Sequence, residues 1–390
     1  MSAAPLTVML VAAEASGDDR GAALARALKA RLGDGVRFVG VGGERMAAEG
    51  VESPFDIADI SILGLLEGVL AYPRIVRRVR ETVALAAREH PDVAVLIDSW
   101  GFTLRVAQGL RRLNPGLPLI KYVGPQVWAT RPGRAKTLAA TVNHLLSIHA
   151  FDAPWFEAEG LPVTFVGNSA LSLDFSKASP DRLRKRIAAG PNDPILLVLP
   201  GSRPGEIERV LPAFEDAVRR LKAHRPDLHV VVPAAPTVAE MVKARVAGWP
   251  HRAHVIEGDA GKLDAMKAAT VGLVCSGTVT TELALAGVPM VVGYRLGRVT
   301  YAIARHLIRT PYITLFNIAA QAFVAPELVQ DACSGPKLAH EVTLRLDDAD
   351  LRRRQVLAQY AALDKMGRGG PDPSEAAADA VLKVLAERRG

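Results

Sequence analysis

Ile195-Leu196-Leu197-Val198-Leu199, running straight into Pro200-Gly201-Ser202-Arg203-Pro204-Gly205-Glu206 and an amphipathic stretch, decides the fold. A short unbroken apolar run closed by a Pro-Gly turn reads as a buried strand, and the stretch after it as a helix. Strand, glycine-bearing loop and helix start make the unit from which parallel sheets are built. The unit recurs in both directions along the chain. With 195–199 as the first of a carboxyl-terminal series, further strands are predicted at 229–232, 254–257, 271–275, 289–293 and 312–315. An amino-terminal series is predicted at 7–13, 36–41, 93–98, 117–123, 142–148 and 163–166, with helices filling the gaps.

The two series predict an α/β protein of two Rossmann-like domains, and a length of 390 residues suits that number. The polar run 171–193, broken at Pro180 and Gly190-Pro191, reads as the connection, giving domains 1–172 and 173–348. After Lys337 the chain is helical, charged and strandless, interrupted by Gly367-Arg368-Gly369-Gly370-Pro371 before a final helix near 374–388. Composition does not say where this piece, 349–390, packs. No short-period repeat is visible, which sets solenoids and propellers aside.

A content of 49% hydrophobic and 23% charged residues supports a globular chain with a substantial core. The 48 Lys and Arg against 41 Asp and Glu leave a net charge of +7, which fits phosphorylated ligands, an acidic lipid surface or an ordinary solvated exterior. Nucleic acid is set aside as a partner, because no zinc-ligand spacing, aromatic RNA-binding motif or basic arm accompanies the charge. Cys275 and Cys333 have no C-x-x-C spacing and read as small apolar residues in a reduced, cytoplasmic compartment. The start lacks a signal peptide's charge and apolar run, and no 18-residue apolar segment follows, so membrane contact is expected to be peripheral.

Ligands on doubly wound sheets collect outside the carboxyl ends of strands, where helix N-termini hold phosphate. Gly201, Ser202 and Arg203 stand at such an end, although the same residues also make a plain solvated turn. A second loop, Ser276-Gly277-Thr278-Val279-Thr280-Thr281-Glu282, follows the 271–275 strand in the same manner, and two such loops favour a diphosphate. Glu282 can complement its helix dipole or accept hydrogen bonds from a ribose. In the amino-terminal half, Glu14-Ala15-Ser16-Gly17-Asp18 follows the first strand, its Ser16 and Asp18 readable as helix caps or as partners for sugar hydroxyls. Gly40, Gly42 and Gly43 at the next strand end leave room close to the backbone. Asp98 closes the 93–98 strand, placed equally well for a cap or for taking a proton. The apolar segment 57–72, followed by Arg74, Arg77, Arg78 and Arg80, reads as a core helix or as an interfacial one.

Together, Ala13-Glu14-Ala15-Ser16-Gly17-Asp18, Gly40-Val41-Gly42-Gly43 with Met46, Ile97-Asp98, Tyr122-Val123-Gly124-Pro125-Gln126-Val127-Trp128-Ala129 and Phe165-Val166-Gly167 resemble the amino-terminal half of the lipid-A-disaccharide synthase family. Leu199-Pro200-Gly201-Ser202-Arg203, Ser276 to Glu282, Asn317-Ile318 and Pro326-Glu327-Leu328-Val329-Gln330 resemble its carboxyl-terminal half, in order, over about residues 7–345.

The resemblance implies a GT-B fold, two Rossmann-like domains facing a central cleft, and an inverting glycosyltransferase. It implies UDP-2,3-diacylglucosamine as donor, 2,3-diacylglucosamine 1-phosphate as acceptor, and neither cofactor nor metal. By position, Gly201, Ser202, Arg203, Ser276, Gly277, Thr278, Thr281, Glu282 and Asn317 are expected on UDP. Glu14, Ser16, Gly17 and Asp18 are expected on the acceptor side, with Asp98 as the base. It also implies domain closure about the 171–193 connection, a membrane-facing first domain carrying 57–72, an anionic inner-membrane surface as partner, and leaves room for a homodimer.

The chain departs from the family at Asp98-Ser99-Trp100-Gly101, where a second acid and an amide are missing, and at Ala129-Thr130-Arg131, His149-Ala150-Phe151-Asp152 and Gly167-Asn168-Ser169. The alternatives on this architecture are a transferase for another lipid or glycan, a UDP-sugar-binding protein without transfer chemistry, and a UDP-sugar epimerase.

Overall fold

The computed structural model describes residues 5–60 and 72–389. It divides into two compact units, one of Met1–Asn168 with Gly370–Gly390, the other of Ser169–Gly369. The 349–390 piece is therefore shared: the Ala349–Lys365 helix stays with the second unit, and the Pro373–Arg389 helix belongs to the first.

In the first unit, β1 (Leu6–Val11), β2 (Val36–Val41), β3 (Val93–Ile97), β4 (Leu119–Tyr122), β5 (His144–Ser147) and β6 (Val163–Phe165) form one parallel sheet in the order β2-β1-β3-β4-β5-β6. Both faces are covered, as the uniformly apolar strands require. Side chains alternate across the sheet. Val8, Leu10, Val93, Val95 and Ile97 join the layer under the Ala15–Leu32 helix, while Met9, Val11, Ala94 and Leu96 join the layer under the Trp100–Leu113 helix. The final helix adds Ala377, Ala378, Val381, Val384 and Leu385 to the first of these layers. Arg31 anchors it, donating to Glu375 Oε2 at 2.5 Å and Asp379 Oδ1 at 2.6 Å.

The second unit holds β7 (Ile195–Leu199), β8 (His229–Pro233), β9 (His254–Ile256), β10 (Val271–Val274), β11 (Met290–Tyr294) and β12 (Glu327–Val329), all parallel, in the order β12-β11-β10-β7-β8-β9. Counted within the unit this is the Rossmann order 3-2-1-4-5-6 read from its far edge, and the order reverses between β7 and β10.

The expected strand at 312–315 is corrected: those residues lead into a short helix, Leu315–Ala320, and the sixth strand is Glu327–Val329. The cause is a side chain. Glu327 Oε2 accepts from Ile313 N at 2.9 Å and its Oε1 from Thr314 N at 2.8 Å, so the backbone donors a strand would pair are already satisfied. Most of the apolar 57–72 segment, residues 61–71, lies outside the described residues.

Candidate functional site

The reversal point of the second sheet opens into a cavity of about 410 Å³. Its walls come from the loops after four neighbouring strands: Gly201–Arg203 after β7, Pro233–Pro236 after β8, Gly258 and Asp259 after β9, and Cys275–Val279 after β10. Three helices start at this rim: Pro204–His224, Asp259–Ala268 and Thr278–Leu285. Their first-turn N–H groups have no partner within their own helix, and their dipoles favour negative charge.

Arg203 stands at the rim with its side chain 75% exposed, its Nη1 3.2 Å from Glu206 Oε1. An exposed pair of this kind is held loosely. Lys262 Nζ approaches Glu282 Oε2 at 2.5 Å across the same cavity. The contact is a close ion pair without hydrogen-bond alignment, since that oxygen has no hydrogen-bond partner among the described residues. Gly201 sits at φ +113°, a conformation that favours glycine, and a Cβ there would crowd Glu206 Oε2. Among the described residues, a Cβ at Gly277 would meet no atom within 4 Å beyond its chain neighbours, so that edge of the cavity is bare backbone.

The structure gathers Gly201, Ser202, Arg203, Ser276, Gly277, Thr278 and Glu282 on one cavity. Thr281 and Asn317 do not line it. Thr281 is buried in the helix behind the wall. Asn317 is fully buried and its amide is spent within the protein: Nδ2 donates to Ala325 O at 2.9 Å and Glu327 Oε1 at 2.8 Å, and Oδ1 accepts from Ala325 N at 3.1 Å. Its link to the cavity wall is indirect. Asn317 orients Glu327, Glu327 holds Ile313 and Thr314, and the Ile313 carbonyl accepts from Ser276 Oγ at 3.1 Å. Sequence reading missed Lys262, Asp259 and the 233–236 wall. A lysine in a polar helix start carries no signal of its own, and the wall is defined only by the strand order.

In the first sheet the order reverses between β1 and β3; Asp98 directly follows β3, and Glu14 lies three residues past the end of β1. Asp98 and Ser99 both adopt left-handed conformations, φ +50° and +38°, and Val123 after β4 does so at +71°. Backbone of this kind costs on the order of 1–3 kcal/mol per residue and gathers at working sites. Asp98 Oδ2 accepts from Arg20 Nη1 at 3.2 Å, and its Oδ1 from Ser99 N at 2.9 Å. Glu14 is pushed above the usual carboxylate range, first by desolvation and then by the Asp98 charge, against the pull of Lys121, Ser99 and Arg20. Lys121, which sequence reading also passed over, is buried in β4.

Asp18, an expected acceptor-side residue, is instead consumed by the fold. Its Oδ1 accepts from Gly43 N at 2.7 Å and Met46 N at 3.0 Å, and its Oδ2 from Arg45 N at 3.0 Å, capping the turn Glu44–Ala47. Gly17 is buried for packing, since a Cβ there would press on Ala12 Cβ at 3.2 Å. Ser16 is exposed at the start of the first helix, and its carbonyl accepts from Arg20 Nη1 at 3.2 Å. The unusual His149-Ala150-Phe151-Asp152 stretch is a packed knot: Trp128 Nε1 donates to Asp152 Oδ1 at 2.8 Å, Ser147 Oγ lies 2.9 Å from Asp152 Oδ2, and His149 stacks on Phe151. Burial raises Asp152 to about 6 and lowers His149 to about 4.

Two parallel α/β units, one with helix N-termini converging on its reversal point, define a protein of the GT-B class. Solved structures of that plan are similar to this chain throughout. The S. aureus MnaA-UDP co-structure matches with a TM-score of 0.66 at 14% identity, covering 98% of this chain and 97% of that one. Acinetobacter baumannii MurG matches with a TM-score of 0.59 at 16% identity, covering 97% and 100%. These likenesses establish the fold. Within it, the family model described as lipid-A-disaccharide synthetase matches residues 8–381. Lipid-A-disaccharide synthases of Rhodospirillum centenum and Nitrobacter hamburgensis are 41% and 43% identical, each match covering 98% of this chain and 96% of the relative. The chain belongs to the lipid-A-disaccharide synthase family.

Proposed function

We propose that the chain transfers the 2,3-diacylglucosamine of UDP-2,3-diacylglucosamine to the 6-hydroxyl of 2,3-diacylglucosamine 1-phosphate, giving the β-1,6-linked disaccharide 1-phosphate and UDP. Family membership supports the reaction, and the observation that carries the donor half is the cavity at the β7–β10 reversal point. Helix N-termini, Arg203 and Lys262 supply positive potential for a diphosphate leaving group, and Glu282 an acceptor for ribose hydroxyls. Gly201, Ser202, Ser276, Gly277 and Thr278 bring backbone and hydroxyl donors close. Thr281 and Asn317 act behind that wall.

In the transfer the acceptor oxygen bonds to the anomeric carbon as the anomeric C–O bond breaks. UDP departs with the bonding pair, and the hydroxyl proton passes to the Asp98 carboxylate. Glu14 and Ser16 stand beside Asp98 on the acceptor side. The chain works as a peripheral protein at the inner face of the cytoplasmic membrane. Among the described residues no helix is long and apolar enough to span a bilayer. Exposed Tyr301, Leu307 and Ile308 beside Arg305 and Arg309, in a stretch without an acidic residue from 283 to 326, suit an anionic lipid surface.

Incubating the purified chain with both acylated substrates tests the reading. Formation of disaccharide 1-phosphate with one UDP released per linkage is expected. UDP binding without product overturns the transferase reading, and product from a different acceptor alone overturns the acceptor.

A further inference from the structure

Lys121 is 3% exposed, in a strand whose other residues, Leu119, Ile120 and Tyr122, are core. Its strand lies beside β3 with Lys121 opposite Leu96 and Tyr122 opposite Ile97, which brings the amine to the place where β3 ends and Asp98 begins. There Nζ donates to the Asp98 main-chain carbonyl and to Thr103 Oγ1, the latter at 2.7 Å. Thr103 Oγ1 in turn lies 2.7 Å from Asp98 O and 2.9 Å from Ser99 O, its single proton serving one of them at a time. The two residues held in this way are the consecutive left-handed pair, Asp98 and Ser99.

A buried ammonium is expensive unless it is matched by charge. The groups that face it are carboxylates from two strand ends, Asp98 after β3 and Glu14 after β1, while Arg20 from the Ala15–Leu32 helix reaches Asp98 from another side. Burial outweighs the opposing charges of Asp98 and Glu14, and the Lys121 amine is lowered to about 7. Apolar packing would fill this position without that conflict, so a lysine here points to a task at the strand end.

We propose that Lys121 is a positioning residue for the transfer step: it pins the Asp98 main chain in its left-handed turn and supplies the buried positive charge that lets the Asp98 and Glu14 carboxylates stand together. The inference rests on the reading of Asp98 as the proton acceptor.

The test compares the full chain with Lys121→Met, Thr103→Val and Asp98→Asn, measuring kcat/KM against pH together with UDP affinity by calorimetry. UDP affinity reports on the second unit, and circular dichroism on the fold of the whole. Lys121→Met is expected to lower kcat about tenfold or more, to leave UDP affinity within about twofold, and to move the acidic limb of the pH profile upward by about one unit. The sign follows because a carboxylate that loses a neighbouring cation takes up its proton at higher pH. Should Lys121→Met fail to fold, Thr103→Val, which removes one of the amine's two partners and a hydroxyl that bonds the Asp98 and Ser99 carbonyls, must lower kcat while UDP affinity stays within about twofold. An unshifted limb in the folded variant, with kcat falling only as the folded fraction falls, makes Lys121 a packing residue and overturns the inference. Unimpaired turnover in Asp98→Asn overturns the reading of Asp98 itself, and is seen separately.

Discussion

On the proposed reading Asp98 and Arg203 serve opposite halves of the chemistry, and their environments separate what each substitution does. Asp98 lies past the end of β3 in the first unit, remote in the chain from the cavity of the second, so Asp98→Asn should lower kcat about 10²-fold or more while UDP affinity stays unchanged. Parallel losses in steady-state turnover and in a UDP titration contradict that assignment. Arg203 is exposed and loosely paired, and Arg203→Ala should raise the UDP Kd about tenfold with no change in melting temperature. Both positions were legible in sequence because each follows an apolar strand, Asp98 at once and Arg203 after a Pro-Gly turn. Asp18 stands in the same setting and went elsewhere, to the backbone of Gly43, Arg45 and Met46, because a partner 25 to 28 residues away leaves no local mark. Lys121 was visible as a lone charge in an apolar strand, but its meaning depends on a carbonyl 23 residues earlier.

Elements were legible where periodicity was strong and obscure where a side chain replaced the sheet ladder. β7 runs over the residues read from its apolar pattern, whereas the 312–315 run was claimed by Glu327 and became the approach to a helix. Gly40 shows how tightly the first unit's strand ends are packed: a Cβ there would overlap the Leu10 carbonyl, at φ +150°. Gly40→Ala should cost about 3 kcal/mol, read as a lowered urea midpoint with an unchanged slope. The Pro373–Arg389 helix was read as a helix without an address. It supplies Val381, Val384 and Leu385 to the first unit's core, each worth about 1.5–3 kcal/mol when buried. A chain ending at Gly369 should therefore lose the first unit's cooperative melting transition while UDP binding persists. Melting and titration of the truncated chain check both halves of that expectation.

On the scale of the molecule, the sheet order explains why two loops far apart in sequence line one cavity. Strand ends at a reversal point are fixed by topology, so residues 201–203 and 276–279, which sit in sequence just after two apolar runs, share one cavity. The strand ends of the first sheet depend on backbone conformation and on long-range partners, and were correspondingly harder to read. The positive charge also acts at this scale. Binding to vesicles rich in anionic lipid should exceed binding to neutral ones and fall as salt rises, with co-sedimentation as the measurement. The central claim is that the second unit holds UDP at its reversal point, and calorimetric titration of UDP into the chain and into Arg203→Ala and Glu282→Gln tests it most directly. One site per chain, weakened by each substitution, is the predicted result, whereas no binding, or binding indifferent to both substitutions, contradicts the account.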